Sequence, residues 1–179
     1  MAATVSQFYQ FVANKGLSRD FLFRVTDIRI QGGNLQQDEL VLARAASVPG
    51  RIIEDKIANY SGHEFHLGGR AVYSQSDGYP IEFYCDESST LRNNLEAMSR
   101  TTFDVSPDAA GAGGNYGIDQ NASISLRQLN KQFQGISTIT LQGASIREIG
   151  DIDYMIADGT GEIVSFTATF AYQFYKIGA

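Results

Sequence analysis

Between Glu162 and Tyr175 the side chains alternate with a period of two. Val164, Phe166, Ala168, Phe170, Tyr172 and Phe174 share one face, and Ser165, Thr167, Thr169, Ala171 and Gln173 share the other. That period predicts one long strand with a buried face and a polar face, well beyond the usual strand of about 5–6 residues. The polar face is small, hydroxylic and almost uncharged. Surface strands ordinarily carry Lys and Glu, which keep them soluble and block edge pairing. A face of Ser, Thr and Gln implies a surface that is wet but does not grip anything.

A chain that begins from such a strand must bury its apolar side, and 179 residues suit one domain, 1–179, with a real core. Hydrophobic residues make up 43% and charged residues 19%, the balance of a globular protein. The net charge is −6, with 14 Lys and Arg against 20 Asp and Glu. That argues against tight nucleic-acid binding, which runs on phosphate neutralisation, but not against nucleic acid passing nearby. The single cysteine, Cys85, lies with Ile81 and Phe83 on the apolar side of a predicted strand and reads as a small buried hydrophobe. No basic segment followed by an apolar core opens the sequence, and no apolar run approaches about 18 residues, so neither a signal peptide nor a membrane anchor is expected.

Other elements follow from pattern and punctuation. A short helix is predicted over 6–14, capped by Ser6, with Phe8, Phe11 and Val12 as its apolar stripe and Gly16 as its end. Too short to stand alone, it needs a docking partner, such as another subunit. Strands are predicted over 20–31, with a phase shift near Asp27, and over 39–46, 51–60, 62–67, 79–85, 121–129 and 136–142. Gly68-Gly69 is expected to close the fourth of these. A helix over 86–101 starts at Asp86 and buries Leu91, Leu95 and Met98. A Gly-rich loop is expected over 103–120. The sum is a mainly β, α+β domain: a sandwich or partial barrel with one flanking helix.

Catalytic signals are sparse. His63 and His66, the only histidines, would diverge on a strand, and only Glu64 lies near them as a further ligand, so no metal site is expected. No Gly-x-Ser-x-Gly elbow marks a nucleophile. Asp151 and Asp153 read as a solvated loop between strands. The glycine run 111–117 lacks the dinucleotide spacing and follows a helix instead of a strand. The expectation is a non-enzymatic structural protein without cofactors.

Several segments, in order, resemble a known family: Phe21-Leu-Phe-Arg-Val25; Ala45-Ala-Ser-Val-Pro-Gly-Arg-Ile52; Tyr60-Ser-Gly-His-Glu-Phe65 with Gly68-Gly69; Ile81-Glu-Phe-Tyr-Cys-Asp-Glu87 leading into Leu91-Arg-Asn-Asn-Leu-Glu96; and the final alternating strand. Together they resemble the tail tube proteins of contractile-tailed bacteriophages, related in fold to type VI secretion tube proteins. Met98 departs from the aromatic common in that helix, and the loop 103–120 does not align with the family.

The resemblance implies two packed antiparallel sheets and hexameric rings stacked into an inner tail tube. The partners it implies are other copies of the chain, a tail sheath protein, a tape-measure protein, baseplate and tail-terminator proteins, and double-stranded DNA transiting without specific binding. It implies a place in the virion after synthesis in the host cytoplasm. On that view Ser123, Ser125, Ser165, Thr167, Thr169 and Gln173 are lumen candidates, although an ordinary solvent face remains open for each. Phe8, Phe11, Arg51, Glu54, Lys56 and Tyr116 are candidates for ring or subunit contact. Two other readings stand beside it: the tube of a contractile injection or secretion device, and a small β-sandwich binding module or hydrolase.

Overall fold

A computed structural model of the chain describes residues 4–102, 118–154 and 161–178. Two antiparallel sheets pack around one core, and a separate two-stranded ribbon projects from them. The first sheet has the order β11-β8-β7-β1-β2. It consists of β1 (Phe23–Ile30), β2 (Gly33–Asn34), β7 (Ser123–Leu129), β8 (Gly135–Gln142) and β11 (Phe174–Gly178). The second has the order β3-β6-β10-β9, from β3 (Ala43–Ala46), β6 (Tyr79–Tyr84), β9 (Ser145–Ile149) and β10 (Ser165–Ala171). The ribbon is β4 (Arg51–Tyr60) with β5 (His63–Tyr73). Three helices are described: α1 (Val5–Lys15), α2 (Gln37–Leu40) and α3 (Thr90–Thr102).

Alternation builds the core as expected. Val25, Ile28 and Ile30 from β1 meet Ile124 and Leu126 from β7, and Ile81 and Phe83 from β6 meet Phe166, Ala168 and Phe170 from β10. The phase shift near Asp27 is a bulge between Val25 and Asp27, which keeps the apolar residues on both sides of it facing inward. Each fully buried Phe contributes about 2–3 kcal/mol by area.

The closing strand is two strands. β10 ends at Ala171, the chain turns a corner through Tyr172 and Gln173, and β11 joins the other sheet. Phe174 lies beyond that corner and is 40% exposed, so it leaves the apolar face to which its spacing assigned it. The partner chain segment bends in the same place: β8 turns through Gly143 and Ala144 into β9, and Gln173 N–H donates to the Gln142 carbonyl at 2.9 Å.

Three further expectations change. Residues 39–46 form α2 and then the short β3, because Glu39 accepts from the Gln36 N–H at 2.6 Å and from the Asn94 side chain, which closes a helical turn there. The strand expected over 62–67 runs on to Tyr73, so Gly68-Gly69 lie inside β5. A Cβ on Gly69 would sit 2.9 Å from the Glu54 carbonyl oxygen, so that glycine permits the close approach at the β4–β5 bulge. The 86–101 helix begins at Thr90, with Asp86 still acting as its cap through the Thr90 N–H at 2.8 Å. Burial works to raise the Asp86 pKa, but hydrogen bonds from Ser88, Thr90 and Leu91 outweigh it and hold the carboxyl below its usual value. The short N-terminal helix is capped by Thr4, not Ser6, in a reciprocal box with Gln7.

Candidate assembly surface

The ribbon β4–β5 is a ten-residue and an eleven-residue strand joined by Ser61-Gly62. Both loop residues have positive φ, 52° and 80°, the geometry whose twist matches the flanking strands. The register puts Tyr60, His63, Ala58, Phe65, Lys56 and Leu67 on one face, and Asn59, Glu64, Ile57, His66 and Asp55 on the other. Every residue from Asp55 to Arg70 is exposed. Tyr60 is 78% exposed, and Phe65 and Leu67 are each more than half exposed. A lone two-stranded hairpin is marginal in water. One with an uncovered row of Tyr, Phe and Leu presents a surface suited to a partner.

Its base is firmly held. The Tyr79 hydroxyl donates to the Ser47 carbonyl ahead of β4, and the Tyr172 hydroxyl donates to the Ser74 carbonyl after β5. Ser74 N–H closes the two legs by donating to the Gly50 carbonyl at 2.9 Å. Further out, Arg70 makes two hydrogen bonds to Glu54, at 2.6 and 3.2 Å. That pair lowers the Glu54 pKa and raises that of Arg70. His66 Nδ1 lies 3.3 Å from Asp55. His63 and His66 fall on opposite faces of β5, and the described residues contain no group of three or more His, Cys, Asp or Glu able to hold a metal ion.

The second exposed element is α1. Val5, Phe8, Tyr9 and Phe11 are all exposed. Of the contact candidates, Phe8 and Phe11 thus lie on one projecting element, and Arg51, Glu54 and Lys56 on the other. Tyr116 lies outside the described residues, as does 103–117 of the Gly-rich loop.

The lumen candidates fall on two different sheets. Ser123 and Ser125 belong to β7, where they stand opposite Arg29 and Asp27 of β1. Their sheet face also carries Arg24, Arg127 and Lys176, four cations with Arg29 against the one acid. Ser165, Thr167 and Thr169 belong to β10 in the other sheet. Around them are Glu82, which pairs with Arg44 at 2.8 Å and accepts from Ser165 at 3.0 Å, and Glu148 of β9. Gln173 sits at the corner between the sheets, on neither face. Spacing alone gave no sign of the ribbon's apolar face, since Gly68-Gly69 read as its end. The alternation of Phe65 and Leu67 with His66 was the available signal.

No family model matches the chain, and none of the curated proteins does. Solved structures match in fold. A chain of the PVC sheath-tube complex, from an extracellular contractile injection system in its extended state, is 10% identical with a TM-score of 0.55, over 99% of each chain. A chain of the sheath/tube terminator of a PVC system is 10% identical with a TM-score of 0.58, over 91% of this chain and 97% of that one. A chain of the six-fold symmetrised baseplate of the anti-feeding prophage is 14% identical with a TM-score of 0.57, over 91% and 95%. The chain therefore has the β-rich, tail-tube-like fold found in components of contractile injection systems.

Proposed function

We propose that the chain is a structural, non-enzymatic subunit whose copies form rings that stack into the inner tube of a contractile particle, either a phage tail or an extracellular injection device. The observation that carries this reading is the rigidly rooted ribbon with its uncovered Tyr60, Phe65 and Leu67. A second exposed element, α1, adds Phe8 and Tyr9. Two apolar elements reaching away from one core in a single chain suit heterologous contacts, which close into rings or continue as filaments. The fold likeness along 99% of both chains to a component of a sheath-tube complex supports a place in such an assembly. Six subunits per ring follows from the resemblance and suits the six-fold symmetry of the related baseplate.

In this reading the face of β10 with Ser165, Thr167 and Thr169 lines the channel. Its neighbours Arg44, Glu82 and Glu148 leave it one acid in excess, whereas the opposite sheet's four cations would hold a polyanion by counterion release. Ser123 and Ser125 would then lie away from the channel. Sheath, tape-measure, baseplate and terminator proteins are the partners this position requires, with double-stranded DNA or another cargo in transit. Sedimentation velocity over a wide concentration range tests the reading. Growth from monomer to ring-sized and larger species is expected. A monomer at every concentration, salt and pH would overturn it.

A further inference from the structure

Arg24 and Arg127 stand directly opposite each other on β1 and β7. Like charges at such a position destabilise a strand pair, and among the described residues neither makes an ion pair or a hydrogen bond. Arg127 also lies across Gly135 of β8, where any Cβ would collide with its guanidinium stem. Both arginines line an open groove of about 1000 Å³ between two strand edges, the first half of β1 and β3. β2 pairs only with Arg29 and Ile30, and β3 is the end strand of its sheet, so neither edge has a strand partner along the groove, although the Thr26 carbonyl accepts from the Gln37 side chain at 3.3 Å. Its rim holds the exposed apolar residues Phe21, Val41 and Phe133. The one acid lining it, Asp20, accepts from the Phe21 N–H at 3.0 Å, and its third arginine, Arg44, is held by Glu82.

We propose that Arg24 and Arg127 form a carboxylate clamp for the segment Asp151–Tyr154 of a second copy of this chain. This rests on the assembly reading above. The groove asks for carboxylates beside an apolar side chain. In Asp151–Tyr154, Asp151, Asp153 and Tyr154 are exposed, while Ile152 packs against its own core and anchors the segment. Charge complementarity supports it: the segment carries two exposed carboxylates that make no ion pair among the described residues, while the groove presents two unpaired cations. Position makes the contact one between copies. The segment follows β9, at the opposite end of the four-stranded order from β3, so a copy does not reach its own groove with it. The contact is head-to-tail, with each copy giving a clamp on one side and a segment on the other. Guanidinium pairs recognise carboxylates with two parallel N–H donors each.

Charge reversal tests this on the full chain. Arg24→Glu/Arg127→Glu and Asp151→Lys/Asp153→Lys are each expected to weaken association at least about tenfold in sedimentation velocity, within the range measured for close interfacial charge pairs. Mixed in equal amounts, the two variants alternate, every contact regains opposite charges, and association returns to near the wild-type level. Recovery also requires that both variants be folded. If the reversal variant melts early, Arg24→Gln/Arg127→Gln replaces it with the same expected loss. Wild-type association by either variant, or no recovery on mixing, overturns the clamp while leaving the tube reading in place. A wild-type chain that never associates overturns both. Unchanged association of Arg24→Glu/Arg127→Glu, with loss of binding to a short DNA duplex, would assign the arginines to a polyanion instead.

Discussion

The rings of Tyr79 and Tyr172 meet edge-on, with centroids 6.1 Å apart and planes at 89°, and each hydroxyl holds a different leg of the projecting ribbon. One leg is fixed at Ser47 and the other at Ser74. The pair joins the centre of the four-stranded sheet to the base of the proposed assembly element. Tyr172→Phe removes one tie without changing the ring. It is expected to cost about 1–3 kcal/mol, the effect of leaving a polar partner unsatisfied. Hydrogen exchange should speed up across β4 and β5 before the sandwich responds. Denaturant titration and exchange mass spectrometry check this, and an unchanged ribbon would remove the tyrosines from the account.

The same pair predicts an alkaline limit. Burial pushes the Tyr79 pKa far above its usual value, and the Tyr172 hydroxyl adds to it. Tyr172 is raised too, chiefly by burial. An unfolded tyrosine loses its proton near pH 10. Above that pH the unfolded chain binds fewer protons than the folded one, so stability falls as pH rises. Urea unfolding at a series of pH values above about 9 should show that decline, and Tyr79→Phe should make it shallower.

Gly150 marks the end of β9 against β10. Its N–H donates to the Thr167 carbonyl at 2.8 Å, and a Cβ there would lie 2.8 Å from that same oxygen. Backbone cannot swing aside as a flexible side chain would. Gly150→Ala is expected to destabilise the fold by about 1–3 kcal/mol, the usual cost of overpacking, read as a lowered denaturation midpoint.

The ribbon's apolar row separates folding from assembly. Phe65 and Leu67 are exposed and contribute nothing to the core cluster. Phe65→Ser/Leu67→Ser should leave the circular dichroism spectrum intact and change stability by less than about 0.5 kcal/mol. Association should fall sharply in light scattering at matched concentration.

The fold was legible in the sequence where burial and period agree. Val25, Ile28, Ile124, Leu126, Ile81 and Phe83 all lie where alternation puts them. It was less legible where one strand serves two sheets. Nothing in the run Phe170-Ala-Tyr-Gln-Phe174 departs from a period of two, yet the chain turns a corner there, because the bend is set by β8 and β9 alongside it. β9 itself carries no clear period, because Arg147 and Glu148 interrupt its apolar residues. The assembly surface was legible only in part. Strand 51–60 places the polar residues Glu54 and Lys56 on one alternating set and Asp55 and Asn59 on the other, a pattern that suits an interface. Its partner β5 was cut short at two glycines that instead admit a bulge. The cationic face of β1 and β7 shows only in register, since Arg24 and Arg127 are far apart in sequence.

The central claim is that copies of this chain build an open tube through the ribbon. Negative-stain electron microscopy of the concentrated full-length protein, beside the Phe65→Ser/Leu67→Ser variant, tests it most directly. Six-membered rings with a central hole, some stacked end to end, are predicted for the wild type, and isolated particles for the variant. Isolated particles from the wild type across salt and pH, or identical rings from the variant, would contradict it.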